Sequence, residues 1–380
     1  MIHQHFKVDY AYPVYFAEEL FHPENIQVEK IFEECGIEDG SKFLFAIDSG
    51  VSKSHPNLNR DITNFFAKSN FKLASVPLII TGGEVAKNDF GIVTEILEAI
   101  DKNGIDRHSY VVGIGGGAVL DVVGFAAAIA HRGIRHIRIP TTVLSQNDSG
   151  VGVKNGINYF GKKNFIGTFA PPFAVINDFS FLKTLSNRDF RSGIAEAVKV
   201  GLVKDASFFS YIEKNVAALN QREHDVTKQL IYRCAEIHLK HISSGDPFEY
   251  GNSRPLDYGH WSAHKIEQLS NYEIRHGEAV FMGMCLDAVY ANLSGLLSKE
   301  EMMRLIQLSK KAGFNIYCSE MELKNNEGEN LLINGLQEFR EHLGGELTIM
   351  LIDKIGKGIE VNKIDNEMML KAIKILKELN

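Results

Sequence analysis

His260 and His264 stand four residues apart in Gly259-His-Trp-Ser-Ala-His264. On a helix that spacing sets both imidazoles on one face, where they can converge on one ion or one substrate. His276, in Arg275-His-Gly-Glu278, supplies a third ring nitrogen. In a chain with 14 histidines such a pair also arises as two solvated or hydrogen-bonded side chains. A carboxylate elsewhere that completes the set would favour the first reading. A second charged cluster lies in Asn187-Arg-Asp-Phe-Arg-Ser-Gly-Ile-Ala-Glu-Ala-Val-Lys-Val-Gly201, which has helical spacing and puts Glu196 and Lys199 three apart on one face. An intrahelical ion pair would account for the two charges. Their neighbours Ile194, Ala195, Ala197, Val198 and Val200 are apolar, however, which predicts that at least one of them is buried for a purpose.

The elements that must carry these residues follow from hydrophobic patterning. Lys42 to Asp48, Val76 to Thr81, Ser109 to Ile114 and Ile134 to Pro140 are short apolar runs with turn residues after them, and helical stretches such as Phe90 to Ile100 and Ala118 to Ala130 lie between. Strands alternating with helices predict a parallel sheet covered on both faces. Gly115-Gly116-Gly117 follows one such strand and opens a small-residue helix, so the turn would let a pyrophosphate approach backbone N–H groups. It is not the G-x-G-x-x-G fingerprint, and tight helix-to-strand packing would explain the glycines equally simply. Asp48, ending an earlier strand, is placed to accept a ribose hydroxyl. Thr141 to Thr168 is polar, glycine-rich and long, and reads as a functional loop. Its Asp148, Lys154, Asn158, Lys163 and Asn164 suit a phosphorylated polyol. A solvated hairpin turning at Asn155-Gly156 is the plainer alternative.

Ala170-Pro171-Pro172 suggests a boundary, giving an α/β domain over 1–177 and an all-α domain over 178–380. A length of 380 residues makes two domains the expected division. Helices are expected at Phe208 to Leu219, Thr227 to Ser243, Glu278 to Ser294 and Lys299 to Ala312. With 44% hydrophobic and 23% charged residues and a net charge of −7, nothing calls for nucleic acid or an anionic membrane as partner. No apolar run reaches the roughly 18 residues that span a bilayer. The four cysteines form no C-x-x-C pair and the amino terminus has no signal pattern, so reduced thiols in a cytoplasmic protein are expected.

Taken together, Gly115-Gly-Gly-x-x-x-Asp121, Pro140-Thr-Thr, Asp148-Ser, Lys154-Asn-Gly-Ile-Asn158, Lys163-Asn164, Ala195-Glu-Ala-x-Lys199, Gly259-His-x-x-x-His264 and His276-Gly-Glu-Ala resemble the sugar phosphate cyclase superfamily, whose best-known member is 3-dehydroquinate synthase. The resemblance spans about residues 40 to 295 in one order. It implies a Rossmann-like, parallel-sheet NAD domain followed by an all-α metal domain, the active site between them, and a homodimer. Glu196, His260 and His276 match the family's metal ligands, usually for zinc, with cobalt as the alternative. Asp48, Glu84, Lys87, Gly115, Gly116, Gly117, Asp121, Thr141 and Thr142 match nucleotide-binding positions. Asp148, Lys154, Lys163, Asn164, Lys199 and Arg132 match substrate or phosphate contacts, Arg132 reaching across a dimer interface, and His264 matches a position serving proton transfer. The implied reaction is a transient oxidation by NAD, elimination of phosphate, return of the hydride, ring opening and closure of a carbocycle.

Three departures separate the chain from the dehydroquinate enzyme itself, one being Lys154-Asn-Gly-Ile-Asn158 in place of its Lys-Thr-Gly-Ile-Asn. Asp257 stands where that enzyme carries Asn, and Glu338-Phe-Arg-Glu-His-Leu-Gly-Gly345 replaces a lysine-rich segment suited to a carboxylated substrate. Fewer cationic partners favour a neutral, hydroxyl-rich substrate. These phrases are similar to the branch that cyclises sedoheptulose 7-phosphate, the 2-epi-5-epi-valiolone synthases, in which Asp257 and His342 would meet the polar end of the substrate. His342 could equally be a surface helix residue. The competing readings are 3-dehydroquinate synthase proper, a metal-dependent polyol dehydrogenase of the glycerol dehydrogenase type, and a scaffold without activity, which the intact metal and lysine positions disfavour.

Overall fold

The computed structural model describes residues 1–248, 255–342 and 347–380, with the side chains of all but 341 and 342. The chain divides into two compact units, Met1–Leu185 and Ser186–Asn380. The 3-10 turn Phe179–Thr184 thus belongs with the first unit, whose core includes Phe181.

In the first unit the strands are β1 (Val14–Ala17), β2 (Lys42–Asp48), β3 (Lys72–Leu73), β4 (Leu78–Ile80), β5 (Tyr110–Gly115), β6 (Arg135–Pro140), the hairpin pair β7 (Lys154–Tyr159) and β8 (Lys162–Phe169), and β9 (Ala174–Asp178). Helices α1 (Gln27–Glu34), α2 (Ser49–Ser54), α3 (Leu58–Lys68), α4 (Val85–Asn88), α5 (Phe90–Lys102) and α6 (Gly117–Ile129) connect them. Seven strands form a parallel sheet in the order β1-β9-β6-β5-β2-β3, with β4 also on β2. The five central residues of β2 are all buried because both faces are covered. Phe43, Phe45 and Ile47 face a phenylalanine-rich layer with Phe32, Phe66 and Phe71. Leu44 and Ala46 face the opposite layer, formed by α5 and α6. Each buried phenylalanine contributes about 1.5–3 kcal/mol, so this two-sided pattern fixes the register of the strand from which Asp48 projects.

Residues 141 to 168 are not the open loop that their composition suggests. They pass through one π-helical turn, Ser145–Ser149, and then the antiparallel hairpin β7–β8. The turn lies at Phe160-Gly161, where both residues have positive φ (51° and 70°), and not at Asn155-Gly156, which sits inside β7. The organising residue is Arg138. Its guanidinium, wholly buried, donates to the carbonyls of Gly150, Gly152 and Lys154 and to Asn155 Oδ1, at 2.7 to 3.1 Å.

The second unit is helical: α7 (Asn187–Lys204), α8 (Ala206–Asn220), α9 (His224–Ser243), α10 (His260–Leu269), α11 (His276–Leu293), α12 (Lys299–Ala312), α13 (Leu331–His342) and α14 (Asn366–Leu379). One feature is added to the expected helices, an antiparallel pair β10 (Ile349–Lys354) and β11 (Lys357–Val361). Helix α7 is buried all round from Gly193 to Val203, so the two charges it carries lie in the core. Among the described residues no helix is long and apolar enough to cross a membrane.

Candidate active site

Glu196, with no solvent exposure, approaches both histidines that open α10 and α11. Its Oε1 lies 3.5 Å from His276 Nε2 and 3.8 Å from His260 Nε2, and the three ligand atoms fall within 4.8 Å of one another. These separations are too long for hydrogen bonds. They match the distance of roughly 3.4 Å between two ligands that each sit about 2.0–2.1 Å from a tetrahedral zinc ion. Glu196 Oε2 is paired with the buried Lys199 ammonium at 2.5 Å, and Oε1 is left facing the two ring nitrogens. A buried carboxylate in that condition, facing two imidazoles, fits a divalent cation.

The surrounding groups orient this set. His260 Nδ1 lies 3.2 Å from the Tyr258 carbonyl and His276 Nδ1 lies 3.3 Å from Glu267 Oε2, so each imidazole can donate outward and leave Nε2 inward. Burial would raise the Glu196 carboxyl, but the Lys199 ammonium and then His276 outweigh it and hold it at about 2. His260 is pushed well below the usual histidine range by burial and by the Lys199 charge, which leaves it neutral. At His276 burial opposes the charge, yet Glu267, followed by Glu196, raises it to about 10. His264 is exposed on the same side of α10, its ring centroid 5.7 Å from that of His260 and 6.1 Å from that of His276.

Glu267 was not visible as a functional residue from sequence alone. The signal available is its place three after His264 and seven after His260, one stripe of a helix. Asp257 caps this region through its carbonyl, which accepts from His260 N at 2.9 Å. His342 closes α13, and its side chain lies outside the described residues, as do residues 343 to 345 of the same motif.

In the first unit, Asp48, Gly115 and Thr141 lie at the carboxyl ends of adjacent strands β2, β5 and β6, where parallel sheets bind ligands. A side chain on Gly82 would fall 2.1 Å from Asp48 Oδ1, and one on Gly117 would fall 2.5 Å from Ser149 Oγ. These close approaches leave a backbone-lined recess at the start of α6, suited to a pyrophosphate. Thr142 joins Ser145 through its hydroxyl at 2.8 Å. Lys87 Nζ donates to Asp121 Oδ2 at 2.6 Å and to Asn164 Oδ1, and Asn158 Nδ2 donates to Glu84 Oε1 at 3.0 Å. The hairpin is thereby tied to the residues of α4 and α6. Lys154 opens β7, Lys163 lies on β8 and Asp148 in the π-helical turn. Arg132 lies apart from these. It follows α6, whose 13 residues carry the chain about 20 Å from Gly117 toward the amino ends of the strands. Its backbone is left-handed (φ 63°) and it borders a 590 Å³ hollow with Arg107, His108 and His131.

A sheet unit with a glycine turn, followed by a helical unit with a Glu-His-His cluster, is consistent with a class of enzymes, the sugar phosphate cyclases, and the chain's matches to known proteins place it there. Residues 77–192 match the family model for the 3-dehydroquinate synthase N-terminal part, and residues 193–330 that for its C-terminal part. The chain belongs to the 3-dehydroquinate synthase family. The 3-dehydroquinate synthase of Alkaliphilus metalliredigens (strain QYMF) is 36% identical over 275 residues, 72% of this chain and 75% of that protein. ValA, a 2-epi-5-epi-valiolone synthase from Streptomyces hygroscopicus subsp. jinggangensis 5008 solved with NAD+ and Zn2+ bound, superposes with a TM-score of 0.88 at 26% identity, both chains covered in full. A 2-deoxy-scyllo-inosose synthase solved with carbaglucose-6-phosphate, NAD+ and Co2+ shares the fold, with a TM-score of 0.79 at 24% identity and 96% of each chain covered.

Proposed function

We propose that this enzyme converts sedoheptulose 7-phosphate into a C7 cyclitol of the 2-epi-5-epi-valiolone type with loss of phosphate, acting as a cytoplasmic homodimer with NAD and a zinc or cobalt ion. The observation that carries the reading is the buried Glu196 carboxylate, balanced by Lys199 on one oxygen and facing two imidazole nitrogens with the other. Bound NAD+ would supply the transient oxidation of a secondary alcohol and the cation would polarise that oxygen.

The protein's own groups have distinct tasks. Glu196, His260 and His276 hold the cation, and Lys199 keeps Glu196 ionised. Asp48, Glu84, Lys87, Gly115 to Gly117, Asp121, Thr141 and Thr142 hold the nucleotide. Lys154, Lys163 and Asn164 on the hairpin receive the phosphate, and Arg132 is assigned to the site of a second copy because its own chain places it at the other end of α6. Asp148 binds substrate hydroxyls, and His264, exposed beside the cluster, moves protons. The preference for a neutral sugar is supported by Asp257 and by Glu338 of α13, whose carboxylate lies 2.5 Å from Lys265 and neutralises it. An acid and a neutralised lysine are poor partners for a substrate carboxylate. Asp257 and His342 are assigned to its polar end.

The test is incubation of metal-loaded protein with sedoheptulose 7-phosphate and, separately, with the seven-carbon acid phosphate used by 3-dehydroquinate synthase. Phosphate release from the first alone is expected. Release from the second alone would establish 3-dehydroquinate synthase activity, the reading that the 36% identical relatives favour. Lasting accumulation of NADH with a simple polyol would reveal a polyol dehydrogenase.

Metal binding should also release a proton. His276, raised to about 10 in the metal-free protein, is protonated at pH 7.5 and must be neutral to ligate. Calorimetric zinc titrations in buffers of different ionisation enthalpy should give close to one proton released per ion, with affinity rising as pH rises. Zero protons released would show that His276 is already neutral before the ion arrives.

A further inference from the structure

The start of α10 is fastened to α11 at several points that bracket His260. Tyr258 Oη donates to the Met284 carbonyl at 3.0 Å. Gly259 N donates to Asp287 Oδ2 at 3.1 Å, and Trp261 Nε1 to Asp287 Oδ1 at 2.9 Å. Asp287 has no solvent exposure, and both of its oxygens are engaged by residues immediately before and after His260. The backbones are in close contact there. Gly259 is left-handed (φ 78°), and a side chain on Gly283 would lie 2.1 Å from the Gly259 carbonyl. A helix start with that geometry has no slack, so the direction of the first side chain, His260, depends on the clamp.

We propose that Asp287 is a positioning residue for the cation site: by gripping Gly259 N and Trp261 Nε1 it fixes the approach of His260 Nε2 to the ion held with Glu196 and His276. This rests on the reading of Glu196, His260 and His276 as a metal centre. Asp287 touches neither the ion nor the substrate. Its effect is transmitted through two hydrogen bonds and the backbone between them, as outer groups commonly tune metal affinity. The Trp261–Asp287 pair also joins α10, which His260 opens, to α11, which His276 opens.

The test uses full-length protein, with Zn2+ affinity measured by chelator competition and the d–d absorption of the Co2+ form recorded. In Asp287→Asn one N–H acceptor is replaced by a donor, and zinc affinity should fall about 10–100-fold with a changed cobalt spectrum. Trp261→Phe removes only one of the two donors and should give a smaller loss, about 3–10-fold. A purely structural role would lower the unfolding midpoint while leaving zinc affinity and the cobalt spectrum of the folded protein unaltered, and that result would overturn the inference. If Asp287→Asn does not fold, Trp261→Phe carries the test, and wild-type zinc affinity in that variant overturns it. Absence of zinc and cobalt binding by the wild-type protein would remove the metal centre and this inference together, whereas binding by the wild type with no change in the variants removes the inference alone.

Discussion

Glu196→Gln should abolish measurable zinc retention and lower phosphate release from sedoheptulose 7-phosphate by roughly 10³-fold or more, the scale of losing a charge aimed at the reacting oxygen. The side chain keeps its size, so packing in α7 is preserved. What changes is the charge: Lys199, 3% exposed and 2.5 Å from the carboxylate, is left as a buried ammonium beside an amide. An uncompensated buried charge costs about 3–5 kcal/mol, so the variant should also unfold at lower urea. Three measurements follow: zinc retained after dialysis, phosphate release, and urea midpoint. Turnover and zinc content near wild type would remove Glu196 from the metal site and from the chemistry.

Lys87→Met is expected to have the largest effect in the first unit. Lys87 is 5% exposed, yet its ammonium serves Asp121 on α6 and Asn164 on the hairpin. Methionine fills the space and strands the Asp121 carboxylate, whose own partial exposure moderates the loss to about 2–4 kcal/mol. NAD+ binding should weaken by about 30-fold or more, as for truncation of one member of a buried charged pair. Urea unfolding and NADH fluorescence titration measure the two effects separately. A wild-type midpoint combined with wild-type NAD+ affinity would show that Lys87 neither braces nor touches the cofactor site.

Much of the first unit can be read directly from residue order. The run Lys42 to Asp48 is a strand from end to end as expected, because five successive buried apolar residues leave little alternative. Lys299 to Ala312 is likewise a helix over its expected span, with Ser298 capping it and left-handed Gly313 ending it. The hairpin β7–β8 was obscured by its own composition. Strand β8 is exposed or half-exposed throughout, the buried middle of β7 is Asn155-Gly156-Ile157, and the turn uses Phe160, a residue that rarely signals positive φ. The pair β10–β11 was hidden for a different reason: a short apolar run such as Ile349 to Ile352 has no period that separates a strand from a helix.

The candidate site was legible where residue type and spacing single residues out, and illegible where support comes from afar. His260, His264 and His276 stand out by type and interval, and their rings do gather in space. Asp287 is 26 residues beyond Trp261 and carries no local signature, so only the fold reveals that the two are joined. The same holds for Arg138, which looks like an ordinary strand residue until its four acceptors are seen.

That guanidinium sets a limit on movement. Displacing residues 150–155 would leave a buried cation short of acceptors and break several hydrogen bonds at once. The root of the hairpin is therefore bolted to β6, and freedom to move is left to the tip around Phe160 and Gly161. Swapping the sequence of that tip should thus leave the platform beneath it unaltered.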